Sequence, residues 1–151
     1  MSDGPGFESF PDPEHPGWYT WQLKDPTRFN TWMFEKLIVR RDDDGKARLR
    51  MFPQRHHTNL QGMIHGGTTL ALIDVGLFAC SRMLGIIEAG TALTLDMSVQ
   101  FIGAGKEDRP CDAVIELLKE TRRLVFLRGI VEQDEGPIAA FSGTIRKPTA
   151  R

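Results

Sequence analysis

The run from Gly67 to Leu84 carries Leu70, Ala71, Leu72, Ile73, Val75, Leu77 and Phe78. Wound as a helix, it is apolar round nearly its whole circumference, and such a helix is normally buried. Gly85 supplies a stop signal. After it the hydrophobic period changes from helical to alternating. In Leu93–Phe101 the odd positions are apolar and the even ones polar, the pattern of a half-buried strand. Ala113–Leu118, Leu124–Val131 and Ile138–Ile145 read as further strands, and the short connections between them favour an antiparallel meander. Upstream, Glu35–Val39 and Ala47–Phe52 flank Asp42-Asp43-Asp44-Gly45, a hairpin signal. A single apolar helix against one flat sheet would be half naked, so the sheet must curl around it. The expected fold class is α+β, a roll with a long central helix wrapped by a curved antiparallel β-sheet.

The chain has 151 residues, the size of about one domain. Its net charge of −1 leaves no basic excess to neutralise phosphates, so no nucleic-acid partner is expected. No membrane association is expected either: Asp74 and Arg82 interrupt the longest apolar run, and the acidic start Met1–Glu8 is unlike a signal peptide. Cys80 and Cys111 read as buried free thiols, which fits a cytoplasmic location. Residues 1–16 are rich in proline and glycine and read as an extended or poorly ordered arm. Trp18 to Phe34 concentrates aromatics and is expected to pack on the domain. Residues 1–34 are therefore taken as an arm and aromatic-rich leader, and residues 35–151 as the domain.

One carboxylate, Asp74, sits inside the apolar helix. It must be paired, neutralised or used. An apolar surround raises a carboxyl pKa and a hydroxyl donor lowers it, and the sequence does not decide between them. Gly66 and Gly67 open the helix, where backbone N–H groups lack partners and no Cβ blocks a ligand oxygen. That is the requirement for an oxyanion hole. Gly67 and Asp74 share a helix face but lie about 10 Å apart along its axis. One helix therefore cannot offer both to the same carbonyl, whereas two antiparallel copies can. A catalytic reading of this spacing predicts a dimer with shared sites. His56-His57 has no further His or Cys at zinc-like spacing, so no metal is expected.

Asn59, His65, Gly66, Gly67 and Asp74 form the pattern N-x5-H-G-G-x6-D, and Ala92-Leu93-Thr94-Leu95-Asp96-Met97 follows at a matching separation. Together these motifs resemble those of the hotdog-fold acyl-CoA thioesterases, in the phenylacetate-pathway (PaaI-type) branch. The resemblance runs from about Glu35 to Lys147. It implies hydrolysis of an acyl-CoA thioester to the free acid and CoA, with no cofactor, CoA being part of the substrate. It implies a dimer whose sheets join edge to edge, commonly paired again into a tetramer. Gly66 would supply the oxyanion N–H, with Asn59 and His65 shaping that end. Asp74 of the partner would be general base or nucleophile, and Thr94 would hold the water or orient Asp74. Arg122 and Arg123, and more weakly Lys106 and Arg146, are the candidate cations for CoA phosphates. Thr121 stands where the family commonly has glycine, and the loop Ile102–Arg109 lacks a common proline. Two alternatives stay open: a non-catalytic acyl-CoA binding module, which would not need Asp74, and a hotdog hydratase or dehydratase, which usually carries a helix histidine.

Overall fold

The computed structural model describes residues 6–88 and 92–148. The first five positions of the expected arm lie outside them. In chain order the elements are β1 (Phe7–Glu8), β2 (Tyr19–Thr20), β3 (Gln22–Leu23), α1 (Phe29–Met33), β4 (Leu37–Arg41), β5 (Ala47–Met51), α2 (Gly66–Met83), β6 (Leu93–Phe101), β7 (Cys111–Glu120), β8 (Leu124–Gln133) and β9 (Gly136–Arg146). Seven strands form one antiparallel sheet in the order β2-β4-β5-β7-β8-β9-β6. The long helix and curved sheet are the α+β roll expected from the hydrophobic periods.

Strands β7, β8 and β9 form the expected meander. Strand β6 departs from chain order: it crosses to the far side of β9 and becomes an edge. The edge of β7 that sequential pairing would give it is taken by β5, with Ala47 opposite Ile115 and Met51 opposite Cys111.

Helix α2 packs Leu72, Ile73 and Leu77, all fully buried, onto the sheet. Each contributes about 1.5–3 kcal/mol. Gly76 lets the helix approach β7, since a Cβ there would lie 3.1 Å from the Ile115 side chain. The helix ends where expected. Gly85 takes φ +73°, its N–H donates to the Arg82 carbonyl, and the Ile86 N–H donates to that of Ser81. This is a Schellman cap.

Burial of α2 is not complete all round, contrary to expectation. Leu70 is 37% exposed, and Asp74, Phe78 and Arg82 are half-buried. These four recur every fourth residue and so share one stripe. The sheet wraps the rest of the circumference and leaves this stripe to other partners.

The alternation in β6 is also broken. Thr94 pairs with Ile145 and Asp96 with Thr144, so Leu95 is an extra residue, a β-bulge. The bulge shifts the parity of the strand. Met97 and Val99 turn toward the core beyond it, while Thr94 does so before it. Leu93 and Leu95, read as core-facing, are instead 50% and 52% exposed.

The described part of the arm is ordered as short extended pieces. Strand β1 pairs with β3, and β2 adds to the sheet beside β4. Trp18 is buried, with the guanidinium groups of Arg40 and Arg50 lying 4.5 and 4.6 Å from its ring centroid. Asp12 is buried too, bonded to His15 at 2.7 Å and paired with Lys36 at 3.0 Å. Proline and glycine content suggested a loose segment, but the aromatic anchors decide its order. No helix among the described residues is long and apolar enough to cross a membrane.

Candidate active site

The start of α2 is built from the loop before it. Asn59 Oδ1 accepts the N–H groups of Gln61 and Met63 at 2.9 and 3.1 Å, which closes the loop into a compact turn. The Ile64 N–H donates to Gly105 and the His65 N–H to the His57 carbonyl. His65 is the N-cap: its Nδ1 accepts the Gly67 N–H at 2.8 Å. The ring lies so close that a Cβ on Gly67 would sit 3.0 Å from it. Gly67 thus makes room for its own cap, and its amide is already used. The Gly66 N–H has no partner among the described residues. Of the two amides expected to be open, Gly66 is the one left for a ligand.

Asp74 lies two turns further along the exposed stripe. The Thr94 hydroxyl donates to Asp74 Oδ1 at 2.6 Å, and Oδ2 has no hydrogen-bond partner among the described residues. The bulge at Leu95 makes this contact possible, because it turns Thr94 to the helix side of β6. Asp74, Val75 and Phe78 line a cavity of about 380 Å³ with Phe7, Trp21 and Leu23 of the leader. A second cavity, about 480 Å³, is lined by Asn59, Met63, Gly66 and Phe101. Neither cavity contains both Gly66 and Asp74.

The sequence profile of the thioesterase superfamily matches residues 61–140. The chain belongs to the thioesterase superfamily. No curated protein matches it in sequence. Solved structures place this thioesterase in the hotdog type. A variant of the phenylacetic acid degradation protein PaaI from Thermus thermophilus aligns at TM-score 0.62 and 23% identity, over 74% of this chain and 93% of that one. A hypothetical thioesterase from Streptococcus pneumoniae, solved with coenzyme A, gives 0.68 and 21%, over 80% and 91%. The PaaI protein of the E. coli phenylacetic acid degradation operon gives 0.64 and 16%, over 76% and 80%.

In this thioesterase the candidate cations differ in availability. Arg122 and Arg123 are exposed, and neither side chain has an ion-pair or hydrogen-bond partner among the described residues. Their turn sits at the sheet end where β6 begins: Leu93 and Leu124 both pair with Arg146, and the Lys147 N–H donates to the Arg123 carbonyl. Lys106 lies beside the Gly66 cavity through its bridge to Met63, but its ammonium is paired with Glu135 at 3.1 Å.

For metals, His57 is already committed. Its Nδ1 accepts the Gln54 N–H, so Nε2 donates to the Met33 carbonyl at 2.7 Å. The Asp12–Glu14–His15 group has the closeness of a metal site, but the Lys36 ammonium pairs with Asp12 and Glu14 at 3.0 and 3.3 Å and supplies the positive charge there. From the sequence, the aromatic-rich leader is expected only to pack on the domain. Its individual contributors, Phe7, Trp21, Leu23 and Asn30, were missed. Each is an ordinary packing residue until the fold brings it into the lining of the cavity beside Asp74.

Proposed function

We propose that this thioesterase hydrolyses acyl-CoA, at sites shared by two copies of the chain. The observation that carries the reading is the state of two groups on one helix. Asp74 is half-buried with one oxygen held by Thr94 and the other free, and the Gly66 amide is unpaired. They are eight residues apart, about 12 Å along the axis, and they open into different cavities. An antiparallel partner helix brings Gly66 of one copy opposite Asp74 of the other.

Pairing along β6 accounts for the surface there. It is an edge strand of the sheet. Leu93, Leu95, Phe101 and Ile102, on or beside it, are each at least half exposed, and Leu70 adds to them from α2. An uncovered apolar edge is a liability that a second copy removes. Pairing of two such dimers into a tetramer is the further assembly the resemblance implies.

In the reaction the Gly66 N–H donates to the thioester carbonyl oxygen, where negative charge develops. Asp74 Oδ2 takes a proton from water, and the water oxygen attacks the carbonyl carbon. The C–S bond then breaks, and the thiolate leaves and is protonated. A thiol of pKa near 8–9 is a good leaving group, so a carboxylate base suffices. Thr94 positions Asp74. Arg122 and Arg123 are the unpaired cations for the phosphates of CoA, and the pneumococcal relative solved with coenzyme A supports that substrate class. The test is thiol release from aryl and aliphatic acyl-CoAs by wild type and Asp74→Ala. Release that collapses in the variant supports the reading. CoA binding without release on any substrate would point to a binding module.

A further inference from the structure

The geometry points to a specific role for the leader: Phe7, Trp21, Leu23 and Asn30 form the outer wall of the acyl-chain cavity and set its length limit at about a dozen carbons. This inference rests on the proposed hydrolysis at Asp74 and adds which part of the chain selects the acyl group.

A thioester carbonyl held beside Asp74 has two substituents, the sulfur of CoA and the acyl carbon. The cavity beside Asp74 suits the second. Its walls are Val75, Phe78 and Ile87 on one side and the leader on the other. Arg82, the one cation among the described lining residues, lies over the Phe7 ring at 4.4 Å, and Glu88 lines the same cavity. With Asp74 the lining carries two carboxylates to one guanidinium, so the cavity is a poor host for phosphate groups. The free cations Arg122 and Arg123 lie outside its lining.

The cavity has an end. Asp74, Phe78 and Arg82 follow one another down the helix, so Arg82 lies about 12 Å from Asp74 along the axis. There Phe7 stacks on Trp21, centroids 4.6 Å apart, with Arg82 on the Phe7 ring. The leader holding these rings is anchored at Trp18 and Asp12, both buried. At about 30 Å³ for each water-sized group, the 380 Å³ cavity accommodates about a dozen. Asn30, half-buried with no side-chain partner among the described residues, is the neutral polar group in the lining. Each methylene buried there raises kcat/KM about fourfold until the cavity is filled.

The test compares acyl-CoAs from butyryl to hexadecanoyl. Wild type is expected to rise with length and fall beyond about twelve carbons. Leu23→Trp fills the cavity and should lower the decanoyl-to-butyryl ratio of kcat/KM about tenfold or more. Phe7→Ala opens the end and should move the optimum to longer chains. Opposite shifts in the two variants exclude misfolding as their cause. Calorimetric titration with decanoate reads the same cavity without catalysis. No thiol release from any acyl-CoA, with decanoate bound by wild type and lost in Leu23→Trp, would sink the hydrolase reading and leave the leader wall standing. Hydrolysis with the same length profile in all three proteins would overturn the leader wall and leave the hydrolase. Failure of both release and decanoate binding would overturn both.

Discussion

Replacing Thr94 with valine removes one hydroxyl and keeps the shape of the side chain. Among the described residues that hydroxyl makes one hydrogen bond, to Asp74 Oδ1 at 2.6 Å. A hydrogen bond to a charged group is worth about 1.5–3 kcal/mol. If the bond serves to hold Asp74 in its working orientation, its loss appears in the transition state and lowers kcat. At 1.36 kcal/mol per factor of ten, the expected fall in kcat is about 10- to 150-fold. KM should change little, because Thr94 acts through Asp74. Thr94→Ser keeps the donor and should restore most of the rate. Steady-state thiol release, with kcat and KM resolved separately, measures all three proteins. A valine variant with kcat within about twofold of wild type would refute the positioning role. A rise in KM with kcat intact would show that Thr94 touches the substrate instead.

Other consequences follow from the same structure. Gly66→Pro deletes the proposed oxyanion donor and keeps the helix, because proline suits the first helical position and His65 already has the extended ψ of 139° that precedes proline. It should lower kcat by about 10²–10³ with an unchanged melting temperature. His57 is neutral in the fold, and burial holds its pKa below the usual 6.5. The unfolded chain therefore binds more protons below about pH 6.5. Stability is full above that value and is lost as the pH falls below it. His57→Gln should flatten that part of the melting-temperature profile relative to wild type. Trp18→Ala removes the buried ring that Arg40 and Arg50 pack against and should cost about 3–5 kcal/mol in denaturant unfolding. Cys80 and Cys111 are buried, and burial pushes the Cys111 thiol up to about 12 and raises that of Cys80 as well. Neither should react with a thiol reagent until the protein unfolds.

The parts of the fold that follow from local pattern were legible. The helix and its Gly85 stop rest on hydrophobic period and cap chemistry. The Asp42–Gly45 turn rests on the Asp-Gly pair, with Gly45 at φ +82°. The crossing of β6 to the edge was not legible, because an alternating strand does not say which neighbour it chooses. The bulge at Leu95 was not legible for a related reason. A bulge depends on pairing with β9, and in the sequence alone Leu95 continues an unbroken alternation. That one residue decides whether Thr94 faces Asp74 or solvent. By residue parity alone it faces away, and only the family motif singled it out. At the helix start, residue types indicated open amides at both Gly66 and Gly67. The His65 ring caps one of them, a side-chain choice visible only in three dimensions. The leader wall depends on contacts between Phe7, Trp21 and α2, far apart in the chain, which no local spacing encodes.

The central claim is that each site takes Gly66 from one copy and Asp74 from another. Mixing Gly66→Pro with Asp74→Ala tests it directly. Each variant alone should be nearly inactive. After the two are denatured together and refolded, half the dimers are mixed and each holds one intact site, so activity should return to about a quarter of wild type. If both groups worked within one chain, no mixture would contain an intact site, and activity would stay at the level of the separate variants.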